Sequence, residues 1–318
     1  MANRKHPLRG YLFIASATMC WAISASLGRA LFTGRLLAEE GRALPPIDPL
    51  ILAQSRTTIS FLILAPVLLL LRGRNALVLP RREFAWTLII GVLGVAMSNY
   101  FYYLAIQKTN VAIAITLQYT APIWVLLYMV ARGLQKPTMK RVCSIGLAIL
   151  GIATVVGLFS TGRFHLNAAG VVAAEIAALT FAFYNLGGAG LVKRHDRWTI
   201  IVNTFLGAAL FWIFVNPPWK IVAAHYSSLQ WLFLLIFATT SILIPFSLYF
   251  AGLQHLDPTR AIVTSCLEPV FSIVVAAVAL DEIVGAMQVL GIVMVLAATV
   301  LVQVPEAEEK PLLVEPIE

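Results

Sequence analysis

Charge is what this chain has least of: Asp, Glu, Lys and Arg together make 12% of its 318 residues, against 60% hydrophobic residues and a mean hydropathy of +0.86. That is too little polar surface to cover a soluble particle of this length, so the chain belongs in lipid. Cysteine is nearly absent too. Cys20, Cys143 and Cys266 lie in apolar runs without paired spacing, which argues against a disulfide framework or a thiolate metal site and reads them as small core residues. A GxxxxGK[ST] phosphate loop is missing, which argues against ATP hydrolysis by this chain, and no cofactor is implied. The five histidines, His6, His165, His195, His225 and His255, fall in loops or at the ends of apolar runs. An intramembrane enzyme acting on a lipid-like substrate, the alternative function, therefore lacks a visible nucleophile, base and orienter.

What is present in quantity is apolar sequence. A spanning helix needs roughly 20 apolar residues, and ten runs qualify: about 11–30, 50–71, 85–106, 110–131, 139–158, 168–190, 198–215, 229–252, 258–280 and 284–303. Membrane strands alternate polar and apolar residues, whereas Ile145 to Leu158 and Val289 to Val302 are apolar nearly throughout, so the spans are helices. The net charge of +8 lies in short turns between the runs rather than on one face, which makes it a topology signal and not a nucleic-acid surface. With the N-terminus in the cytoplasm, sixteen Lys and Arg fall inside and five outside. The basic stub before Tyr11 carries no small-residue cleavage pattern, so the first run reads as a retained span, with both termini cytoplasmic in a cell or inner membrane. The segment 305–318, acidic and Pro-rich, reads as a disordered tail.

The runs also repeat. Tyr102, Gln107, Ala114, Ile115 and Pro122 recur 147 positions later as Tyr249, Gln254, Ala261, Ile262 and Pro269. Trp21 aligns with Phe181 at an offset of 160, a register that pairs Gly10 with Gly170 and Gly28 with Gly188. Five spans per half is an odd number, so the second half enters the bilayer upside down. The expected fold is an all-α integral membrane protein of ten transmembrane helices in two inverted five-helix repeats, 9–158 and 168–304.

Together with Arg56 early in the second span and Pro122 and Pro269 inside the fourth and ninth, the stretch Ser265-Cys266-Leu267-Glu268-Pro269-Val270-Phe271 followed by Leu280-Asp281-Glu282 resembles the drug/metabolite transporter superfamily. Within it the chain is similar to EamA-type, YddG-like exporters of amino acids and related metabolites. The resemblance implies a central cavity between the halves and secondary export of a small metabolite by alternating access, proton-coupled or facilitative. Its partners are a small-molecule substrate and the bilayer, and an oligomer is not required. The first half departs from the pattern, with Leu134-Gln135-Lys136 where the second has Leu280-Asp281-Glu282.

Depth selects the candidate residues, because an ionisable side chain inside a bilayer is costly unless it has a role. Glu268 lies eleven residues beyond Asp257, about 16 Å into a core of roughly 30 Å. Asp257, Ala261, Ser265, Glu268 and Ser272 share one helical face. Either that face lines a solvated cavity, or Glu268 accepts hydrogen bonds from neighbouring helices. Gln118 is the counterpart of Ser265, and Ala121 that of Glu268. Glu175, with Ala178, Ala182 and Asn185 on the same face, sits at a depth similar to Arg56. Those two form an ion pair, or a carboxylic substrate replaces Glu175 as the partner of Arg56, or Arg56 snorkels to the outer interface. Trp21, Tyr102 and Tyr249 are the aromatic candidates for stacking or for holding an organic cation. Glu268 is the first candidate to load and release a proton, and Glu175 the second. Pro122, Pro245 and Pro269 each remove an intrahelical hydrogen bond and are expected to bend their spans where gating needs flexure. Asp257-Pro258 reads as a helix start, with Asn110 its counterpart.

Overall fold

The computed structural model describes residues 6–33, 45–109, 111–159, 167–280 and 285–303. Among them every regular element is helical: α1 (Pro7–Thr33), α2 (Pro49–Arg72), α3 (Arg81–Ile89), α4 (Met97–Lys108), α5 (Val111–Gln118), α6 (Ala121–Ala131), α7 (Met139–Val155), α8 (Ala168–Leu191), α9 (Arg197–Val215), α10 (Pro218–Ala223), α11 (Ser228–Ala238), α12 (Ile244–Leu253), α13 (Pro258–Ser265), α14 (Leu267–Leu280) and α15 (Ala286–Gln303). A four-residue 3₁₀ turn, Arg74–Leu77, follows α2. The candidate cap Asn110, the acids Asp281 and Glu282, and the tail 305–318 lie outside the described residues.

Eight helical stretches among the described residues are long and apolar enough to cross a bilayer: α2, α3 with α4, α5 with α6, α8, α9, α11 with α12, α13 with α14, and α15. Helices α1 and α7 stand outside that set; α7 has 17 residues. The helix starts follow from short polar side chains. Asp48, Asn167, Asp196 and Asp257 each accept a backbone N–H from the first turn of α2, α8, α9 and α13, and Ser227 with Gln230 forms a capping box on α11.

Element boundaries recur along the chain. Helices α5 and α13 are both eight residues long and begin at 111 and 258, 147 positions apart; α7 and α15 begin at 139 and 286, the same spacing. Helices α3 and α4 are joined by a π-helical turn, Ile90–Ala96, and α11 and α12 by another, Thr239–Leu243. Packing crosses between the halves in matched pairs: α1 on α12 and α8 on α4, α2 on α11 and α9 on α3, with α7 against α15. The α7–α15 crossing is close because both partners are glycine there. A Cβ on Gly151 would lie 3.0 Å from the Gly291 carbonyl oxygen, and one on Gly291 would lie 2.7 Å from that of Gly151. Ser144 Oγ bonds the Ala298 carbonyl at 2.6 Å across the same crossing.

The prolines do more than bend their helices. Between α5 and α6 the chain turns at Tyr119 and Thr120, and Pro122 falls in the first turn of α6; between α13 and α14 it turns at Cys266, and Pro269 is the third residue of α14. Because proline has no N–H, the carbonyls of Gln118 and Ser265, four residues earlier, lose their helical donors. The chain tightens instead to three-residue spacing, Thr120 N to Leu117 O at 3.0 Å and Cys266 N to Val263 O at 3.1 Å. Pro245 is the second residue of α12, directly after the π turn. Its orphaned carbonyl is that of Ser241, and the Trp21 indole N–H donates to it at 3.1 Å.

Candidate functional site

The two breaks position the buried acids. Glu268 stands in the first turn of α14, at the positive end of that helix, and its Oε2 accepts a hydrogen bond from the Tyr119 hydroxyl at 2.7 Å. The next residue, Thr120, donates its hydroxyl to the Leu117 carbonyl at 2.7 Å, and its Oγ1 lies 3.4 and 3.2 Å from the two carboxylate oxygens of Glu175 on α8. Consecutive residues at one break thus adjoin the two acids. Both carboxylates are half-buried.

Arg56 does not join Glu175. Among the described residues no ion pair links them, and Arg56 acts electrostatically on Glu268 and Tyr102 instead. Its guanidinium lies 5.9 Å from the ring centroids of both Tyr103 and Phe237, and its Nε is buried without a hydrogen-bond partner. Arg56, Tyr102, Tyr119 and Glu268 are therefore one group, with Glu175 on the far side of Thr120. Gln118, half-buried, closes α5 beside it.

The other candidates divide differently from the expectation. Ser265 and Ala261 are wholly buried, and Ser265 Oγ bonds the Ile262 carbonyl of its own helix at 2.6 Å. The proposed face of the ninth span is split by the break at Cys266: the α13 part is packed, whereas Glu268 and Ser272 on α14 are partly exposed. Trp21, Asn185 and Tyr249 gather in a second place. The Asn185 amide donates to the Tyr249 hydroxyl, both residues are fully buried, and the Tyr249 ring centroid lies 5.7 Å from Trp21 and 6.5 Å from Phe181, the two residues paired across the repeat. That cluster joins α1, α8 and α12 as packing. Tyr102, half-buried beside the charges, is the exposed member of the Tyr102/Tyr249 pair.

Tyr119 and Thr120 are the contacts of the two acids that the sequence alone does not point to. Buried charge at depth points to the acids and not to their uncharged neighbours, and these two face Cys266 and Leu267 at the 147-residue spacing. A search for positions that differ at the proline breaks finds them.

At one end of the bundle, Gln135 ties the halves together. Its amide nitrogen donates to Asp257 Oδ1 at 3.1 Å and its oxygen accepts from Thr259 Oγ1 at 2.7 Å, while Asp257 Oδ2 pairs with Arg260 at 3.2 Å. Nearby, His255 stacks on Phe13 at 6.2 Å and meets His6 edge-on at 6.3 Å. Burial, followed by the charges of His6, Arg9 and Arg197, holds His255 below the usual imidazole value. Among the described residues no three His, Cys, Asp or Glu side chains converge as a metal site.

Comparison with known proteins places this geometry. The model of the EamA-like transporter family matches residues 8–157 and 168–304. An uncharacterized transporter of Archaeoglobus fulgidus is 25% identical over 215 residues, 66% of this chain and 75% of its own length. The uncharacterized transporter YxxF of Bacillus subtilis is 28% identical over 70% of each chain. The threonine/homoserine exporter RhtA of Salmonella typhimurium is 28% identical over 63% of this chain and 65% of its own. A crystal structure at 16% identity superposes with a TM-score of 0.71, covering 94% of this chain and 97% of the other, and shares the fold.

Proposed function

The chain belongs to the EamA-like transporter family, and from that premise we propose that it exports a zwitterionic amino acid or similar small solute by alternating access of two inverted five-helix halves, 9–158 and 168–304. Helices α1 and α7 complete ten crossings, both termini face the cytoplasm, and the membrane is the cell or inner membrane. The recurrence of element boundaries and the crossed pairing of α1 with α12 and α8 with α4 support the inverted arrangement, and the sixteen-to-five basic asymmetry supports the orientation. Reporter fusions after Gly73 and Gln135 are expected to read cytoplasmic and fusions near Gly162 external; a cytoplasmic signal at Gly162 overturns the inversion.

One observation carries the substrate reading. Arg56 Nε is buried without a partner beside the rings of Tyr103 and Phe237, and among the described residues no ion pair joins Arg56 to Glu268, whose Oε2 accepts from the Tyr119 hydroxyl. A guanidinium fork suits a substrate carboxylate, and Glu268 suits its ammonium group. Tyr102 and Tyr103 wall the site with rings, and the discontinuity at Pro122 and Pro269 lets the half-helices shift during the cycle. The naming of a related exporter for threonine and homoserine agrees with a small zwitterion. The test is counterflow of radiolabelled amino acids into proteoliposomes. Uptake that Arg56→Met and Glu268→Gln both abolish is expected; unchanged uptake in either variant overturns the assignment. A pH gradient imposed on the same vesicles separates coupled from facilitative movement.

A further inference from the structure

Where α6 stops and α13 starts, Gln135 ties one half of the chain to the other. Its Nε2 donates to Asp257 Oδ1 at 3.1 Å while its Oε1 accepts from the Thr259 hydroxyl at 2.7 Å. Asp257 can only accept, so a single orientation of the amide satisfies both partners. At the 147-residue spacing Gln135 takes the place of Glu282. A glutamate of the same shape at 135 would lose the donor and set a second carboxylate against Asp257, so the contact calls for an amide.

The backbone on either side of the contact is fixed. Gly133, with a φ of 66°, ends α6 in a left-handed cap, in which Leu134 N donates to Met129 O at 2.8 Å and Gly133 N to Val130 O at 2.9 Å. Gln135 N also donates to Met129 O, at 3.2 Å, and Arg141 of α7 donates to the Lys136 carbonyl at 3.0 Å. Gln135 therefore moves with α6. Opposite it, Asp257 caps α13 through the Arg260 N–H at 3.0 Å and pairs with the Arg260 side chain at 3.2 Å. Thr259, wholly buried, is the second residue of that helix. Val125 and Met129 of α6 share one buried cluster with Ile262 of α13. The contact thus joins the two half-helices on one side of the proline breaks, whereas Glu268 and Ser272 lie beyond the break, on α14. When Gln135 lets go, Asp257 keeps Arg260 and the half-buried amide reaches water, so opening strands no charge.

Resting on the alternating-access reading and its orientation, we propose that Gln135 is a latch: its two bonds hold α6 against α13, shut the cytoplasmic end of the route between the halves, and break each time the site opens to the cytoplasm. Gln135 is a positioning residue, acting through the two helix ends it joins.

The test reads the two ends of the route separately, by labelling single cysteines with a membrane-impermeant maleimide in the full chain with Cys20, Cys143 and Cys266 replaced by alanine. Ile262→Cys reports the cytoplasmic side, in vesicles with that face outward, and Ser272→Cys the outer side, in whole cells. With Gln135 in place, labelling at Ile262→Cys is expected to be slow. In Gln135→Glu it is expected to rise at least about tenfold, as for loss of a hydrogen bond to a charged group, while labelling at Ser272→Cys falls, because opening to one side closes the other. Asp257→Asn added to Gln135→Glu keeps a capping side chain, reverses donor and acceptor, and is expected to restore both rates. A merely structural role raises both rates together and overturns the latch. So do unchanged rates in Gln135→Glu, or rates that Asp257→Asn does not restore. If Gln135→Glu does not fold, Gln135→Met, uncharged and of similar length, is read for the same reciprocal change. Amino-acid counterflow by wild type is measured in parallel: its absence overturns the transport reading, and a missing reciprocal change where counterflow is present overturns the latch alone.

Discussion

The two break points are the same stretch of backbone carrying opposite chemistry. At the 147-residue spacing, Gln118-Tyr119-Thr120-Ala121-Pro122 meets Ser265-Cys266-Leu267-Glu268-Pro269. The first offers the Tyr119 hydroxyl as a donor; the second offers a carboxylate in the first turn of its helix. The cation follows the same division. Counted from the helix caps Asp48 and Asp196, Arg56 of the first half falls at the place of Thr204 in the second, a fully buried residue without charge. Donors and positive charge come from the first half, and both acids from the second. A symmetric frame thus builds a polar site with a fixed direction, so a zwitterion has one way to lie in it.

Moving the charges breaks this comparison most severely. Glu268→Gln or Arg56→Met should lower transport by roughly 30-fold or more, since leaving a charged group of the bound substrate without its partner costs about 2–5 kcal/mol. The double variant Ala121→Glu with Glu268→Ala moves the acid to the equivalent place in the other half and should stay inactive, because the hydroxyl of Tyr119 then lies in the same half as the acid. Recovered uptake in that variant would show that the halves are interchangeable. Next in size is Tyr119→Phe, which removes a hydrogen bond to a charged group. Apparent affinity should weaken about 10- to 100-fold, for a loss of about 1.5–3 kcal/mol; an unchanged KM in proteoliposomes assigns the hydroxyl no part in holding Glu268.

A smaller effect tests the packing side of the asymmetry. Trp21→Phe reproduces the second-half residue Phe181 but strands the Ser241 carbonyl that Pro245 leaves without a donor. It should cost about 1 kcal/mol of stability in detergent melts. The loss should shrink when Pro245→Ser, which copies Ser98, restores a backbone N–H, and additive losses in this double-mutant cycle would uncouple the two residues. The smallest effect concerns His255. Its folded value is depressed, so its contribution to stability is full above the ordinary imidazole range near 6.5 and is lost as pH falls below it. Wild type should melt earlier at pH 5 than at pH 7, and His255→Asn should flatten part of that slope; an identical slope removes His255 from the acid response.

Eight of the ten spans were legible because long apolar runs are a pattern that survives without neighbours. The pairing of Arg56 was not, because similar depth on two helices says nothing about rotation, and α2 turns Arg56 toward Tyr103 and Glu268 rather than Glu175. The ninth-span face failed at Ser265 for a related reason. Its period assumed an unbroken helix, and the turn at Cys266 resets the register, leaving Ser265 packed and Glu268 accessible.

The glycine notch shared by α7 and α15 also bears on how the protein is made. In α7 the notch at Gly151 is complete some 140 residues before its mate Gly291 is synthesised. At translation rates of about 5–20 residues per second the wait is on the order of ten seconds. Throughout that interval the Gly151 notch is without the helix it packs against. Assembly therefore closes from the end of the chain, and a ribosome that stalls before α15 leaves a groove that a membrane quality-control protease can read as an orphan.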